Sequence, residues 1–306
     1  MKLGLIDLGS NSARMYLVSL DEGGYEVLAR RRVMTRLSEG MGDDTCLKEP
    51  AMARTAAVMK NFADEIQQAG AYPFAVATAA VRTAKNREEF LARIRNLSGL
   101  DLFVLSGETE AFFDFCGVLA GLPHLKNCLI CDTGGGSTEL ILSGDGAVKA
   151  KVSLPFGAMT LTDAYGTRLC DAKAEVLSRL DAVPFLAEAE GLPLVGIGGS
   201  VCAIGYLDKN SRDIHAHSIS RSRCRELFDT LLPLTPKQRI SLGVEQGRAD
   251  TICAGFLPSL LLMERFSMPS LTLCTSNLRE GILAELTKNN PEFYTKNPEL
   301  FLENYV

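Results

Sequence analysis

Residues 131–144 read CDTGGGSTELILSG, and residues 6–19 read IDLGSNSARMYLVS, which is the same pattern 125 residues earlier. In each copy an apolar run leads into a D-x-G-x-x-S segment, and a second apolar run follows. Glycine in a strand interior costs about 0.5–1 kcal/mol, so three consecutive glycines indicate a turn between two strands. The pattern predicts two equivalent β-hairpins, and a repeat at this separation favours two related domains over a solenoid.

Glycines in these turns permit positive φ and a close approach of the backbone to a ligand. Successive N–H groups of such a turn can converge on an anion. Asp7 and Asp132, at the ends of the leading strands, are candidates for holding a hydrated divalent cation that neutralises phosphate oxygens. Two ordinary tight turns are the alternative, which is weakened because Asp, Gly and Ser recur in register in both copies.

A third glycine-rich segment, LVGIGGSVCAI, occupies residues 194–204. It follows a predicted strand and leads into a helical pattern, so Gly198, Gly199 and Ser200 are candidates for binding phosphate at a helix N-terminus. A plain strand-to-helix turn explains the same letters equally well, and both interpretations stay open.

Length and composition limit the classes of protein to consider. The 306 residues suit two domains, and alternating strand and helix patterns predict α/β layers with a boundary near 120–126. The net charge of −5 argues against general affinity for nucleic acid or membranes, and no apolar run reaches the ~18 residues of a membrane span. Nine cysteines without an export signal favour the reducing cytoplasm.

Two glutamates stand out as candidate catalytic groups. Glu110 falls in the first turn of a helix predicted to begin after Ser106, and Glu139 begins the second strand of the glycine hairpin. A glutamate in a first turn also stabilises the helix dipole, so a surface role for Glu110 is the alternative. For Glu139 the alternative is an exposed position at a sheet edge.

Several segments together resemble the exopolyphosphatase and guanosine pentaphosphate phosphohydrolase (Ppx/GppA) family, in order along most of the chain. They are IDLGSNSARM, VATAAVRTAKNREEF, LSGETEA, CDTGGGSTEL and SNLREGIL. The resemblance implies an α/β fold of two ribonuclease H-like domains, as in the superfamily of actin, sugar kinases and heat-shock chaperone ATPases, with an interdomain cleft. The expected domains are 1–122 and 123–289, with the tail 290–306 packing back on the first.

The resemblance also implies roles for individual residues. Glu110 matches the catalytic base, Glu139 matches a second essential glutamate that helps to place water or metal, and Asp132 and Asp7 match metal-associated aspartates. Phosphate-binding positions are matched by Ser10, Asn11, Ser12, Arg82, Gly134, Gly135, Gly136 and Ser137. Two positions depart from the family pattern, because Thr109 replaces a glutamate and Ala79 replaces a serine.

The implied activity is hydrolysis of the terminal phosphoanhydride bond of inorganic polyphosphate, with release of orthophosphate. Hydrolysis of the 5′-phosphate of guanosine pentaphosphate is the alternative within the family. An ATP-dependent phosphotransferase, or a regulator that binds polyphosphate or nucleotide without turnover, represents a different class. The implied cofactor is Mg²⁺ or another divalent cation, with K⁺ as an additional candidate, and a cytoplasmic homodimer is expected.

Overall fold

The protein is described by a computed structural model that covers residues 1–21, 23–42, 44–166 and 168–305. Its strands are β1 (Lys2–Leu8), β2 (Ser12–Asp21), β3 (Gly24–Met34), β4 (Tyr72–Ala77), β5 (Leu102–Val104), β6 (Cys128–Thr133), β7 (Thr138–Gly144), β8 (Ala147–Leu154), β9 (Leu194–Ile197), β10 (Ser218–Ser220) and β11 (Ser270–Leu273).

The α-helices follow the same chain order, and short 3₁₀ helices lie at Pro184–Ala189 and Gln246–Arg248. They are α1 (Glu49–Gln68), α2 (Ala79–Thr83), α3 (Arg87–Ser98), α4 (Gly107–Gly121), α5 (Ala158–Tyr165), α6 (Leu169–Asp181), α7 (Gly199–Lys209), α8 (Arg221–Leu231), α9 (Pro236–Ser241), α10 (Ile252–Arg265), α11 (Leu278–Lys288), α12 (Pro291–Lys296) and α13 (Pro298–Glu303). In the described part of the chain, none of these helices is both long enough and apolar enough to cross a membrane.

The chain divides into two compact units. Unit 1 comprises Met1–Cys116 and Leu278–Val306, and unit 2 comprises Gly117–Asn277. These bounds differ from the domain ranges 1–122 and 123–289 because helix α11 packs in unit 1. There its Ile282 and Leu286 join the apolar cluster of Leu3 and Leu5.

The sheets of the two units share one topology. Unit 1 has the strand order β3-β2-β1-β4-β5, in which β1–β3 are antiparallel neighbours and β4 and β5 are parallel to β1. Unit 2 repeats this order as β8-β7-β6-β9-β11, with β10 added at the edge. The predicted α/β class and the ribonuclease H-like arrangement of both units are confirmed.

The alternation of side chains along β1 builds two cores in unit 1. Ile6 and Leu8 face helices α1 and α3, whereas Leu3 and Leu5 face helices α4, α11 and α13. The tail lies in this second core, where the Phe301 ring is 6.0 Å from that of Phe74. In unit 2 the helix α10 is apolar on all sides and is buried over most of its length, as expected of a helix in the centre of a domain.

Candidate active site

The two D-x-G-x-x-S segments form the same turn. The N–H of Gly9 donates to the carbonyl oxygen of Ser12 at 3.0 Å, and the N–H of Gly134 donates to that of Ser137 at 3.0 Å. A Cβ atom built on Gly9 or Gly134 would lie 3.5 or 3.4 Å from the same carbonyl oxygen. The predicted pair of equivalent hairpins is therefore confirmed.

The glycines of these turns do not use the positive φ that glycine permits. The glycines at positive φ include Gly146 and Gly198, but neither Gly9 nor any of the three glycines at 134–136. Close approach of another backbone segment instead requires glycine at position 157. A Cβ atom on Gly157 would lie 2.7 Å from the carbonyl oxygen of Gly134 and 2.7 Å from the carbonyl carbon of Gly135.

The start of helix α5 holds the second turn from one side. The N–H of Ala158 donates to the carbonyl oxygen of Gly134 at 2.9 Å, and the N–H of Met159 donates to that of Gly135 at 2.8 Å. Because a trans peptide unit directs its N–H opposite to its C=O, the N–H groups of Gly135 and Gly136 point away from α5. The turn thus directs backbone donors towards its other side, as an anion-binding turn requires.

We expect Gly157→Ala to lower the stability of the protein by about 1–3 kcal/mol, the usual cost of overpacking. The added methyl group would meet backbone atoms of Gly134 and Gly135, which cannot move aside as a flexible side chain can. Urea unfolding measures the effect as a lower midpoint at an unchanged slope. An unchanged midpoint would show that the close contact between Gly157 and the turn does not constrain the fold.

The first turn is held in the same way by the segment that comes after β3. The N–H of Ser38 donates to the carbonyl oxygen of Ser10 at 3.1 Å, and the N–H of Arg36 donates to that of Asn11 at 2.9 Å. Arg36 has a φ of 48°, a conformation that is uncommon for residues other than glycine and often occurs at functional sites. The side chains of Ser10 and Ser12 are buried within this turn.

The residue opposite the aspartate differs between the two hairpins. In the antiparallel register Asp7 pairs with Arg14, whereas Asp132 pairs with Glu139. Residues directly opposite on neighbouring strands have their Cβ atoms about 5 Å apart, and like charges there are destabilising. The equivalent positions therefore join opposite charges in unit 1 and two carboxylates in unit 2.

Asp7 is neutralised by arginine side chains. Arg279, which is buried at the start of α11, donates to the Asp7 carboxylate at 2.6 Å, and Arg14 lies 3.7 Å from the same oxygen. Burial lowers the pKa of Arg279, but the carboxylates of Glu280 and Asp7 outweigh burial and raise it, so the guanidinium stays charged. A metal ion at Asp7 would have to compete with this guanidinium, so Asp7 does not fit the expected role of metal ligand.

Asp132 and Glu139 do fit a divalent cation, because hard cations prefer carboxylate oxygens. Glu139 is only 1% exposed, and the Ser153 hydroxyl donates to its Oε1 at 2.6 Å. This bond orients one oxygen of a candidate ligand, a supporting contact of the kind found around metal sites. No group of three or more His, Cys, Asp or Glu side chains placed for a metal occurs among the described residues, so further ligands would have to be water or substrate oxygens.

The third glycine segment lies against Asp132 and an arginine that the sequence motifs did not indicate. Gly198 has a φ of 89°, and a Cβ atom there would collide with Oδ1 of Asp132. A Cβ atom on Gly199 would collide with the guanidinium of Arg248, which is 8% exposed. The absence of a side chain at Gly199 is the one sequence signal that a bulky group packs there.

The hydroxyl of Ser200 does not face this cluster. The Ser200 side chain is buried, and a Cβ atom on Gly255 of helix α10 would collide with its Oγ. Ser200 thus packs between helices α7 and α10. Two groups at this segment remain candidates for binding an anion, the N-terminus of α7 and the Arg248 guanidinium. Guanidinium groups suit phosphate oxygens.

Glu110 and Arg82, both in unit 1, form an ion pair. Nη1 of Arg82 lies 2.8 Å from Oε2 of Glu110 and also donates to the carbonyl oxygen of Leu105 at 2.9 Å. Glu110 is buried near the start of α4. The alternative of an exposed, dipole-compensating glutamate is therefore wrong. The pair combines a phosphate-binding type of group with a proton-accepting one.

Both departures from the family pattern lie at buried positions. Thr109 is buried, and its hydroxyl contacts that of Ser106 at 2.8 Å and donates to the carbonyl oxygen of Tyr305 at 3.1 Å. A glutamate would not fit between the helix start and this tail residue. Ala79 is also buried, at the start of helix α2.

In each unit the candidate residues gather at the carboxyl edge of the parallel strands, where α/β sheets commonly bind ligands. In unit 1, Thr78 donates to the carbonyl oxygen of Leu8, and Leu105 donates to that of Ala77, so the strand ends are adjacent. This edge carries Asp7, Ser10, Asn11, Ser12, Arg82 and Glu110. The corresponding edge of unit 2 carries Asp132, Gly134, Gly135, Gly136, Ser137, Glu139, Gly198, Gly199 and Ser200.

Comparison with curated proteins finds relatives along nearly the whole chain. A Haemophilus influenzae protein, provisionally named an exopolyphosphatase, is 25% identical over 94% of this chain and 92% of its own length. A Vibrio cholerae protein named guanosine-5′-triphosphate,3′-diphosphate pyrophosphatase is 28% identical over 93% of this chain. The chain spans 59% of the length of that Vibrio relative.

Comparison with solved structures supports the fold. The crystal structure of an exopolyphosphatase from Cytophaga hutchinsonii matches with a TM-score of 0.85 at 22% identity, covering 94% of this chain and 98% of that one. The Aquifex aeolicus member of the Ppx/GppA family matches with a TM-score of 0.76 at 27% identity, covering 95% and 99%. The model of the Ppx/GppA phosphatase family matches residues 17–290. This chain belongs to the Ppx/GppA phosphatase family.

Proposed function

We propose that this chain is a phosphoanhydride hydrolase that removes the terminal phosphate of inorganic polyphosphate as orthophosphate. The observation that carries the proposal is the contact of Arg82 with Glu110 at 2.8 Å, at the sheet edge that also holds the turn at 9–12. The guanidinium suits the oxygens of a terminal phosphate, and the carboxylate suits the proton of an attacking water.

In the proposed reaction a water oxygen attacks the terminal phosphorus while the bond from that phosphorus to the bridging oxygen breaks. Glu110 accepts the water proton, orthophosphate is released, and the shortened chain leaves with the bridging oxygen. A phosphate that binds Arg82 competes with Glu110 for the hydrogen bond of the guanidinium. Substrate binding therefore leaves the Glu110 carboxylate able to accept the proton of water. Catalysis of this kind depends mainly on positioning and on electrostatic stabilisation.

Each unit carries groups that suit phosphate oxygens, namely the backbone donors of its turn, with Arg82 in unit 1 and Arg248 in unit 2. Local donors of this kind explain how a chain with a net charge of −5 can bind a polyanion. Asp132 and Glu139 would hold Mg²⁺, with Ser153 orienting Glu139. When bound, the ion would neutralise phosphate oxygens.

Hydrolysis of the 5′-phosphate of guanosine pentaphosphate is the second candidate function, favoured by the name of the Vibrio cholerae relative. The reactive end is the same as in polyphosphate, so the proposed roles of Arg82 and Glu110 would not change. The two substrates differ in the group that is attached to the terminal phosphates, which is a nucleoside in one and a longer phosphate chain in the other.

We expect purified protein in Mg²⁺ to release phosphate from polyphosphate with a higher kcat/KM than from guanosine pentaphosphate, and to release little from ATP. Colorimetric measurement of orthophosphate with each substrate tests this, with the Glu110→Gln variant as the control for contaminating phosphatases. A higher kcat/KM for guanosine pentaphosphate would select the second candidate. Tight binding of polyphosphate without turnover would show that the chain is a binding protein and not a hydrolase. Phosphate transfer that requires an organic acceptor would show that it is a phosphotransferase.

A further inference from the structure

Three arginines lie one after another on a single face of the sheet in unit 1. The antiparallel register pairs Arg14 with Arg32 and Tyr16 with Arg30. Because side chains alternate between the two faces of a sheet, these residues share the face of Asp7, which pairs with Arg14. We call Arg14, Arg32 and Arg30 the arginine track.

The track begins beside the anion-binding turn of the first hairpin. Ser12, the last residue of the D-x-G-x-x-S segment, pairs with Met34, and the pair of Arg14 and Arg32 comes two residues further along the ladder. At about 3.3 Å per residue, this pair lies roughly 7 Å from the turn and Arg30 about as far again. A linear anion whose end lies at the turn could extend over all three guanidinium groups.

The charges on this face favour an anion. Arg14 and Arg32 stand directly opposite each other, an arrangement in which like charges repel. Two carboxylates near the track already have a cationic neighbour, because Asp7 is bound by the buried Arg279 and Glu280 lies close to the same arginine.

The arginine track is accessible to solvent, whereas the Tyr16 ring beside it is covered by two guanidinium groups. Arg30 and Arg32 are exposed and Arg14 is partly exposed. The Arg30 guanidinium lies over the Tyr16 ring at 5.2 Å, and that of Arg279 lies over the same ring at 4.9 Å. The ring is therefore not presented for stacking on a base, as a site for single-stranded nucleic acid would require. A chain of phosphates can bind to the guanidinium groups alone and does not require an exposed aromatic ring.

We propose that the arginine track binds the phosphates that lie beyond the terminal ones in linear polyphosphate and so determines the preference for chain length. This inference rests on the proposed hydrolase function. It predicts that a long chain gains affinity from the track, whereas tripolyphosphate is too short to reach beyond the first pair of arginines.

Strand β3 offers a matched control, because Arg31 lies between the two track residues but on the opposite face. It pairs with Met15, a residue of the core beneath α1, and its guanidinium lies 2.6 Å from Glu65. Arg31→Gln removes one positive charge from the same strand, and its effect on KM measures the general influence of each unit of net charge.

The experiment compares the double variant Arg30→Gln/Arg32→Gln with Arg31→Gln and the unmodified protein, using long-chain polyphosphate and tripolyphosphate. We expect the double variant to raise KM for the long chain by about tenfold, to raise KM for tripolyphosphate by a smaller factor, and to leave both kcat values unchanged. Arg31→Gln should change none of these. Thermal melting verifies that the variants are folded.

Equal shifts in KM for both substrates, or an equal shift in Arg31→Gln, would overturn the inference. If the unmodified protein hydrolyses neither substrate, the proposed function fails, and the track is then tested by direct binding of long-chain polyphosphate. Weaker binding in the double variant than in Arg31→Gln would support the track. Competition by an RNA oligonucleotide as effective as that by polyphosphate would overturn the assignment to polyphosphate.

Discussion

The Glu110→Gln variant should lose about 10²–10⁴-fold in kcat for phosphate release while keeping its fold, because general-base catalysis typically contributes that much. Glutamine has nearly the same shape as glutamate and can still accept a hydrogen bond from Arg82, but it cannot take a proton from water. Single-turnover release of orthophosphate measures the effect on the chemical step. KM should change much less than kcat, because substrate binding depends on the turns and arginines.

Glu108 provides the matched control for this substitution. It lies in the same first turn of α4 and is acidic, but its side chain is exposed, whereas Glu110 is buried beside Arg82. Glu108→Gln should leave kcat within about twofold, as expected of a surface substitution away from the chemistry. Near-normal turnover in Glu110→Gln, or an equal loss in both variants, would eliminate Glu110 as the base.

The hairpins were predictable from sequence because their signal is local. Fourteen residues contain the end of the first strand, the turn and most or all of the second strand, and the copy 125 residues away supplied an independent check. The same duplication predicted the shared topology of the two sheets. What it could not predict was the conformation of the glycines. The turn also requires glycine at 157, where a Cβ atom would meet the backbone of Gly134 and Gly135, and this residue lies outside the motif.

The polar partners of the candidate residues are mostly distant in sequence. Arg279 lies 272 residues from Asp7, and Arg82 lies 28 residues from Glu110. Arg248 packs on Gly199 from a 3₁₀ helix that carries no recognisable motif. Sequence alone therefore indicated which carboxylates were candidates but not how each was neutralised, and a neutralised carboxylate differs chemically from one that faces another carboxylate.

The equivalent aspartates of the two hairpins should consequently respond in opposite ways to the same substitution. Asp132→Asn should abolish binding of Mn²⁺ used as a probe for Mg²⁺. It should also lower kcat/KM by roughly 10²–10³-fold, because a bound metal contributes several kcal/mol to charge stabilisation and each 1.36 kcal/mol corresponds to tenfold. Asp7→Asn should leave Mn²⁺ binding unchanged, since Asp7 is occupied by Arg279 at 2.6 Å. Calorimetric titration with Mn²⁺ distinguishes the two.

Stability measured in EDTA provides the complementary test. Asp7→Asn removes one of the two carboxylates that keep the buried Arg279 guanidinium charged and leaves Glu280, so it should cost about 1–3 kcal/mol, as expected for a lost hydrogen bond to a charged group. Asp132→Asn removes one of two carboxylates that face each other across the ladder, and the relief of their repulsion should make the loss of stability of the metal-free protein smaller than in Asp7→Asn. If Asp132→Asn destabilises as strongly as Asp7→Asn, the carboxylate pair in unit 2 has an internal counter-ion of its own. The divalent cation would then have to bind elsewhere.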